Sequence, residues 1–306
     1  MTDDVQLSIG LPNFGPWPDG DWRGFVDVAR AAEDAGIDRV VLVDHVVMGP
    51  NTDKYVWGRF PTPPEAPWSE PLTLLAGMAA VTSRIRLATG ILVAPLRGAT
   101  LLAKTAATLD QISGGRLELG VGTGWQREEY DAAGLDWDLR GRLLTDTIAA
   151  CKALWTQTPA AFASETVNFS DTYLMPKPVQ PGGVPLWIGG TLNKRNLARI
   201  VESGDGWIPI MGLSTEDMAR DVVTIRQALA DAGRDPAALR VQGPIPMAKG
   251  DDGKFDLART MDNAAEVVAA GATALQLPIQ AFCPGPKEAP AFFAEARRLF
   301  DAALGR

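Results

Sequence analysis

His45 is the only histidine among the 306 residues, and it directly follows Arg39–Val43, an apolar run typical of a buried strand. Asp44 precedes it. A lone histidine is more often structural than catalytic. At the end of a strand and beside a carboxylate, however, a neutral imidazole can move a proton near pH 7 while the acid orients its ring. We therefore predict that His45 and Asp44 carry out proton transfer.

Two glycine-containing segments end other strand candidates. Thr89-Gly90-Ile91 places a glycine inside a strand pattern, which indicates a bulge or a close approach of another group to the backbone. The alternatives are a simple kink and a bulge that presses against a flat ring system. The segment Gly122-Thr123-Gly124 resembles a nucleotide loop without the full G-x-G-x-x-G spacing. Its backbone N–H groups are expected to face an anion or a polar ring edge.

A third segment, Gly189-Gly190-Thr191, leads into a helix whose first turn contains Lys194 and Arg195. Cations at a helix N-terminus are mildly unfavourable for the helix itself, whereas free N–H groups and the helix dipole favour an anion there. The pattern predicts a phosphate site.

Other site chemistries have no support in the sequence. Cys151 and Cys283 lie far apart and outside any Cys-x-x-Cys arrangement, so neither a disulfide framework nor a metal site is expected. The Gly-x-Ser-x-Gly elbow and the P-loop are both absent from the sequence.

The net charge of −8 does not favour nucleic acid or anionic lipid as a partner. The acidic N-terminal segment MTDDVQLSIGLP is unlike a signal peptide, and the sequence has no run of about 18 apolar residues. We expect a soluble, cytoplasmic protein that acts on a small molecule.

Short β-rich runs alternate with helical patterns along the whole chain, and no change in composition marks a linker. The strand candidates are Val5–Leu11, Arg39–Val43, Ile85–Val93, Leu117–Val121, Leu186–Ile188, Gly206–Ile210, Leu239–Met247 and Ala274–Leu277. The helix candidates are Trp22–Gly36, Leu72–Thr82, Ala99–Ile112, Glu128–Ala133, Arg140–Trp155, Leu197–Glu202, Thr215–Ala232, Asp256–Ala270 and Pro290–Ala303. Eight strand–helix units in this order predict an α/β protein, a (β/α)8 TIM barrel spanning residues 1–306 as one domain. An open doubly wound sheet is the alternative.

Two insertions interrupt the repeat, Met48–Pro71 after the second strand and Gln157–Pro185 before the fifth. The first is either a packed surface loop or a lid over the strand ends, where barrels build their sites. Its aromatic residues are Tyr55, Trp57, Phe60 and Trp68. We expect Trp57, Trp68 and, from an earlier loop, Trp17 to form walls of the substrate pocket.

Taken together with the stretches GLPNFGP, GRLELGVGTGW and PLWIGG, these segments resemble the bacterial luciferase-like oxidoreductase family over essentially the whole chain. The Asp-His pair resembles the branch of that family that uses the deazaflavin coenzyme F420 in place of FMN. The family also suggests a homodimer, although nothing in the residues excludes a monomer.

The resemblance implies a role for each segment. Asp44 and His45 match the active-site pair near the reactive face of the deazaflavin. Gly90 and Ile91 match a bulge with a non-proline cis peptide behind the ring, and Thr89, which precedes the bulge, is expected to bind the cofactor with them. Gly122, Thr123 and Gly124 match the loop against the cofactor. Gly189, Gly190 and Thr191 match its phosphate grip.

One position departs from the family's sugar-phosphate dehydrogenase, which has a glutamate where this chain has Trp125. An indole is neither an acid nor a base, so this residue argues against sugar-phosphate oxidation and favours an apolar or aromatic substrate wall. The resemblance therefore implies hydride transfer between F420 and a small organic substrate, with His45 moving the proton. The alternatives are an FMN-dependent monooxygenase supplied by a separate reductase and a non-catalytic flavin-binding protein.

Overall fold

The computed structural model describes residues 5–306, which contain ten strands. They are β1 (Gln6–Gly10), β2 (Arg39–Leu42), β3 (Arg86–Val93), β4 (Leu117–Gly122), β5 (Ala160–Ala163), β6 (Asn168–Thr172), β7 (Leu186–Gly189), β8 (Gly206–Ile208), β9 (Arg240–Pro244) and β10 (Ala274–Pro278). All except β5 and β6 are parallel and form a closed barrel, in which β1 pairs with both β2 and β10. The predicted eight-stranded barrel is confirmed.

Ten α-helices accompany the strands in this part of the chain. They are α1 (Trp22–Asp34), α2 (Pro71–Val81), α3 (Ala99–Ser113), α4 (Arg127–Ala132), α5 (Arg140–Thr156), α6 (Lys194–Ser203), α7 (Thr215–Asp231), α8 (Leu257–Met261), α9 (Ala264–Ala269) and α10 (Ala289–Ala303). The Ser214 side chain caps α7 by accepting from the N–H of Asp217.

The single helix predicted over Asp256–Ala270 is wrong, because α8 and α9 are separate helices. The Asn263 N–H bonds to the carbonyl of Thr260, three residues back, which tightens the turn between them. Its side chain donates to the carbonyl of Pro246. Asn263 is thereby held to the segment after β9, which fixes the break between the two helices.

A polar cluster fills the barrel interior near the N-terminal ends of the strands. Arg39, the first residue of β2, is fully buried, and its Nε donates to Glu118 at 2.8 Å. One Nη donates to Gln242 at 2.7 Å, and the guanidinium lies 4.4 Å from the ring centroid of Trp187. A buried charge requires such partners. The cluster closes this end of the barrel and leaves the opposite end for a ligand.

The two insertions differ in structure. The first insertion is irregular over residues 48–70 apart from a short 3-10 turn at Thr52–Lys54, and an antiparallel bridge between Phe14 and Trp68 fixes its end. Gln157–Pro185, predicted as an insertion loop, contains the antiparallel hairpin β5–β6. Within residues 5–306, no helix has the length and apolar character needed to cross a membrane.

Candidate functional site

A cavity of about 870 Å³ opens at the C-terminal ends of the barrel strands, where (β/α)8 proteins carry their sites. Each of the eight barrel strands contributes residues to its lining, either from its C-terminal end or from the loop that follows it. The predicted site residues that line it are Asp44, His45, Gly90, Ile91, Gly122, Thr123, Gly124, Gly189, Gly190 and Thr191. The first insertion contributes to the lining and the second does not.

The predicted bulge in β3 is present. The pairing of β3 with β4 shifts register between Thr89 and Leu92, and the Gly90–Ile91 peptide bond is cis. A Cβ on residue 90 would lie 2.6 Å from a methyl group of Val41, so glycine is required there. The bulge exposes Ile91 to the cavity. Thr89, by contrast, is fully buried, and its hydroxyl donates to the Gly120 carbonyl. The structure therefore places Thr89 behind the bulge and outside the cavity lining.

The loop after β4 turns back toward β3. Gly124 has a φ of +69°, a conformation that residues with a side chain rarely adopt. The phenol of Tyr130 donates to the Thr123 carbonyl at 2.6 Å. Burial and the charge of Glu129 raise the pKa of Tyr130, so its hydroxyl stays protonated and remains a donor. The cavity-facing shape of this loop is thus fixed from behind.

His45 is held between a carboxylate and an indole. Its Nδ1 lies 3.0 Å from Oε2 of Glu129, and Nε1 of Trp125 donates to its Nε2 at 3.3 Å. An indole N–H only donates, so Nε2 is the acceptor and the neutral ring carries its proton on Nδ1. Oε1 of Glu129 also accepts from the N–H of Val46 at 2.8 Å. The carboxylate is 1% exposed. This arrangement fixes both the tautomer and the orientation of the imidazole.

The prediction that Asp44 orients His45 is wrong. Its carboxylate accepts from the N–H of Val93 at 2.8 Å and from both Nη atoms of Arg97 at 2.7 and 2.9 Å. Arg97 in turn donates to Glu70 at 2.7 Å. Adjacent residues in an extended segment point in opposite directions, so Asp44 faces β3 while His45 faces Glu129. In this structure the hydrogen bonds of Asp44 to Val93 and Arg97 hold the end of β3 in place near the cavity.

Aromatic rings surround the imidazole. Those of Trp68, Phe60 and Trp125 meet it edge-on, with centroids 4.7, 5.6 and 5.7 Å away. Tyr55 contacts Phe60 and Trp125, both at 5.3 Å. With Trp57 and Phe14, these residues line one side of the cavity, and we call this side the aromatic wall. The expectation that the first insertion forms a pocket wall is confirmed.

Trp17 is not part of the aromatic wall, so its predicted position is wrong. It is 7% exposed, packs edge-on against Phe25 and donates its N–H to the carbonyl of Cys283 at 3.1 Å. The indole therefore belongs to the core between β1 and the chain that follows β10.

The first insertion is attached to the segment that carries Glu129. The N–H of Gly49 donates to Oε1 of Gln126 at 2.9 Å, and the Gln126 amide donates back to the Gly49 carbonyl at 3.3 Å. Asn51 donates to the carboxylate of Glu128. Residues 126–129 therefore both hold the start of the first insertion and supply Glu129, the partner of His45.

Guanidinium groups gather at the β7 side of the cavity, where Arg140, Arg195 and Arg199 contribute to the lining. Arg199 is 6% exposed and donates to Gly141, Thr145 and the side chain of Asn196, none of them charged. Burial and the positive charge of Arg195 lower the pKa of Arg199. Like charges held together in a cavity favour an anionic ligand.

Several backbone N–H groups at the predicted phosphate site already form hydrogen bonds within the protein. The Asn193 side chain accepts from the N–H groups of Arg195 and Asn196 at the start of α6, both at 3.0 Å. The N–H of Gly190 bonds to the carbonyl of Ile208. These three donors are therefore not free for an anion, and the guanidinium groups supply the positive charge at this end of the cavity.

The family model for luciferase-like monooxygenases matches residues 8–276. The chain belongs to this family. The matched residues include the bulge in β3 and all the residues of the aromatic wall.

Two similar proteins come from mycobacteria. An uncharacterized protein of Mycobacterium tuberculosis is 38% identical over 181 residues, which is 58% of this chain and 63% of that protein. The match therefore spans less than two thirds of that relative. A phthiodiolone/phenolphthiodiolone dimycocerosates ketoreductase of Mycobacterium bovis is 30% identical over 227 residues, which is 72% of this chain and 57% of that protein.

Solved structures share the fold at lower identity. An F420-dependent secondary alcohol dehydrogenase, in complex with an F420–acetone adduct, is 15% identical and has a TM-score of 0.72, covering 97% of this chain and 99% of that one. The long-chain alkane monooxygenase LadA is also 15% identical, with a TM-score of 0.73 over 100% of this chain and 92% of that one.

Proposed function

We propose that this protein is an F420-dependent oxidoreductase that transfers a hydride between the deazaflavin and an uncharged small organic substrate. The observation that carries the proposal is the fixed imidazole of His45. Its Nδ1 is held by Glu129, and its Nε2 lies at the aromatic wall of the cavity. Such an imidazole is positioned to exchange one proton with a substrate.

The cavity suits a cofactor of this kind. A deazaflavin is a flat ring system joined to an anionic tail. Ile91, which the β3 bulge exposes, offers an apolar surface for the ring. Arg199 is buried and its hydrogen-bond partners are uncharged, so its positive charge is available for the anionic tail. When bound, F420 supplies or accepts a hydride at its central ring carbon. The mycobacterial ketoreductase and the F420-dependent alcohol dehydrogenase support this assignment by similarity.

The residues of the chain orient the substrate and move the proton. Glu129 keeps the Nδ1 proton in place, so the Nε2 lone pair of His45 is the base when a hydroxyl group is oxidised. In the reverse direction the doubly protonated ring returns that proton. The aromatic wall excludes water from the imidazole, which strengthens its electrostatic interactions.

The second candidate is an FMN-dependent monooxygenase that receives reduced flavin from a partner reductase. The paired charges of Arg195 and Arg199 favour this reading, because FMN ends in a phosphate that carries about two negative charges. LadA, a monooxygenase of the same fold, supports it by similarity. The two candidates differ in their requirement for molecular oxygen.

Fluorescence titration of the cofactor-free protein with F420 and with FMN distinguishes the two candidates, since Trp125 lies in the cavity and its emission reports occupancy. Tight binding of F420, weak binding of FMN and turnover without oxygen are the expected results. Preferential binding of FMN, with turnover only in the presence of oxygen, would contradict the F420 proposal and support the monooxygenase.

His45→Ala tests the proton-transfer role. We expect turnover to fall by about 10²- to 10⁴-fold, the usual contribution of a general base. F420 affinity is expected to change much less, because the positive charge proposed above for the anionic tail of F420 belongs to Arg199 and not to His45. A variant with full turnover would refute the role.

A further inference from the structure

We infer that the fully buried Arg39 orients the side-chain amides of Gln242 and Gln276 as hydrogen-bond donors at the bottom of the cavity, where they bind the carbonyl edge of the cofactor ring. The inference rests on the proposed function and adds to it the groups that hold the polar end of the ring. Both glutamines line the cavity, whereas Arg39 lies beneath it and is not part of the lining. We call these two side chains the amide pair.

One guanidinium nitrogen fixes the orientation of both amides. Nη1 of Arg39 donates to Oε1 of Gln242 at 2.7 Å and to Oγ of Ser8 at 3.3 Å. The Ser8 hydroxyl donates its hydrogen to Oε1 of Gln276 at 2.9 Å. A guanidinium group only donates, so Gln242 must present its oxygen to Arg39. Because the Ser8 oxygen accepts from Arg39, its hydrogen is directed to Gln276, which must present its oxygen as well.

The NH₂ groups of the amide pair are therefore turned toward the cavity. A Cβ on Gly90 would lie 3.9 Å from Nε2 of Gln242, and a Cβ on Gly10 would lie 2.6 Å from Nε2 of Gln276. Both glycines line the cavity. Within residues 5–306, neither of the two Nε2 atoms donates to another group of the protein. The bottom of the cavity thus offers two fixed donor groups to a ligand.

Donors of this kind select a ligand edge that carries acceptors. The pyrimidinedione end of a deazaflavin carries two carbonyl oxygens and an unprotonated ring nitrogen. Gly90 precedes Ile91, the residue proposed above to support the ring, so a ring on Ile91 has one end close to Gln242. A donor that loses water without gaining an acceptor costs free energy, and the ring carbonyls supply that acceptor. The pyrimidinedione end is therefore the end that lies at the bottom of the cavity.

The amide pair also favours the reduced ring. When a hydride from the substrate forms a C–H bond at the central ring carbon, a pair of ring π electrons moves to the nitrogen and carbonyl oxygen of the pyrimidinedione end. That end gains one negative charge. Hydrogen bonds to charged groups are about twice as strong as those to neutral groups. Donors that Arg39 already holds in place should therefore bind the reduced ring more tightly than the oxidised ring.

The test replaces one amide with a carboxylate of the same shape. In Gln242→Glu one carboxylate oxygen still accepts from Arg39, which retains the fold, and the other takes the place of the NH₂ group. Dissociation constants for oxidised and reduced F420 are measured anaerobically by fluorescence titration. We expect affinity to fall about 10-fold for oxidised F420 and about 100-fold for reduced F420, as hydrogen bonds to neutral and charged groups predict. Gln276→Glu is expected to act in the same direction.

Gln280→Glu is the matched control. Gln280 also lines the cavity, but it is exposed, and within residues 5–306 its side chain makes no hydrogen bond to Arg39 or Ser8. The same charge, placed in contact with solvent, is expected to change both affinities equally and by less than about 2-fold.

Ser8→Ala tests the link from Arg39 to Gln276 without changing a residue of the cavity lining. The amide of Gln276 then loses the group that orients it. We expect the preference for reduced over oxidised F420 to fall about 2- to 5-fold, less than when a donor is removed. An unchanged preference would contradict the role of Arg39 in orienting this amide.

Three results would overturn the inference: wild-type affinities in both glutamine-to-glutamate variants of the amide pair, equal losses for oxidised and reduced F420, or losses of the same size in Gln280→Glu. Since Gln242 and Gln276 lie on different strands, either variant decides the matter if the other does not fold.

Failure of the proposed function is separate. If the wild type binds FMN but not F420, the F420 proposal fails. The same variants titrated with oxidised and reduced FMN, which has the same pyrimidinedione end, then test the amide pair. Binding of neither cofactor to the wild type would overturn both.

Discussion

Replacing Glu129 by glutamine tests the tautomer assignment, because the amide has only one acceptor oxygen where the carboxylate has two. Oε2 faces Nδ1 of His45 and Oε1 faces the N–H of Val46. If the amide oxygen stays with His45, the NH₂ group meets the N–H of Val46. If it stays with Val46, His45 must move its proton to Nε2, where it meets the N–H of Trp125. Both orientations force two donors together.

The magnitude follows from the burial of these groups. Glu129 is 1% exposed and His45 is 9% exposed, so water compensates poorly for the lost bond. An unsatisfied buried donor costs about 1–3 kcal/mol, and we expect Glu129→Gln to lower the free energy of unfolding by that amount. If the proton moves to Nε2, the base for alcohol oxidation is also lost, so turnover should fall as well.

Urea unfolding of the wild type, Glu129→Gln and the control Glu128→Gln provides the assay. Glu128 belongs to the same short helix, and its glutamine still offers an oxygen to Asn51, so the control is expected to lie within about 0.5 kcal/mol of wild type. Equal stability of all three proteins would refute the hydrogen-bond pattern described for His45. Normal turnover in Glu129→Gln would refute the need for a fixed tautomer.

Three further predictions concern charges elsewhere in the molecule. Arg195→Gln should weaken cofactor binding by about 10-fold or more, and the loss should be largest at low salt. Lys194 lies outside the cavity lining, so Lys194→Gln should leave cofactor binding unchanged. Equal losses of affinity for the two variants in a binding titration would contradict the anion site. Glu118→Gln removes the counter-charge of fully buried Arg39 and should lower the free energy of unfolding by about 3–5 kcal/mol; a loss below about 1 kcal/mol in urea would contradict this. Although burial opposes it, hydrogen bonds from residues 83–85 lower the pKa of Glu33 from 4.5 to about 2. The ionised Glu33 therefore stabilises the fold above pH 4.5, and this stabilisation is lost as the pH falls toward 2. The difference in the free energy of unfolding between wild type and Glu33→Gln should accordingly shrink between pH 4.5 and pH 2. A constant difference over that interval would show that the ionisation of Glu33 is not involved.

The barrel and much of the cavity lining could be predicted because their signals are local. An apolar run such as Arg39–Val43 indicates a strand covered on both faces, and a glycine inside a strand, such as Gly90, indicates a bulge. The sequence does not predict the hairpin β5–β6, because its two strands are only four and five residues long and show no clear alternation of buried and exposed positions.

The partners of the site residues depended on contacts that are distant in sequence. Asp44 is adjacent to His45 in the chain but faces Arg97, whereas Glu129 is 84 residues away and contacts the ring. The one sequence feature that pointed to Glu129 was its position four residues after Trp125, on a helical turn close to a glycine loop. Arg199 lies within α6, and its contact with Gly141 arises only when α5 and α6 pack together.

The attachment of the first insertion to residues 126–129 has a consequence for redesign of the protein. A lid taken from another barrel would lose the paired bonds between Gly49 and Gln126 and the contact between Asn51 and Glu128. Because Glu129 follows directly and holds His45, such an exchange would disturb the proton-transfer group together with the pocket. The lid and residues 126–129 are therefore best transplanted as one cassette, and libraries that vary substrate preference should mutate both segments at once.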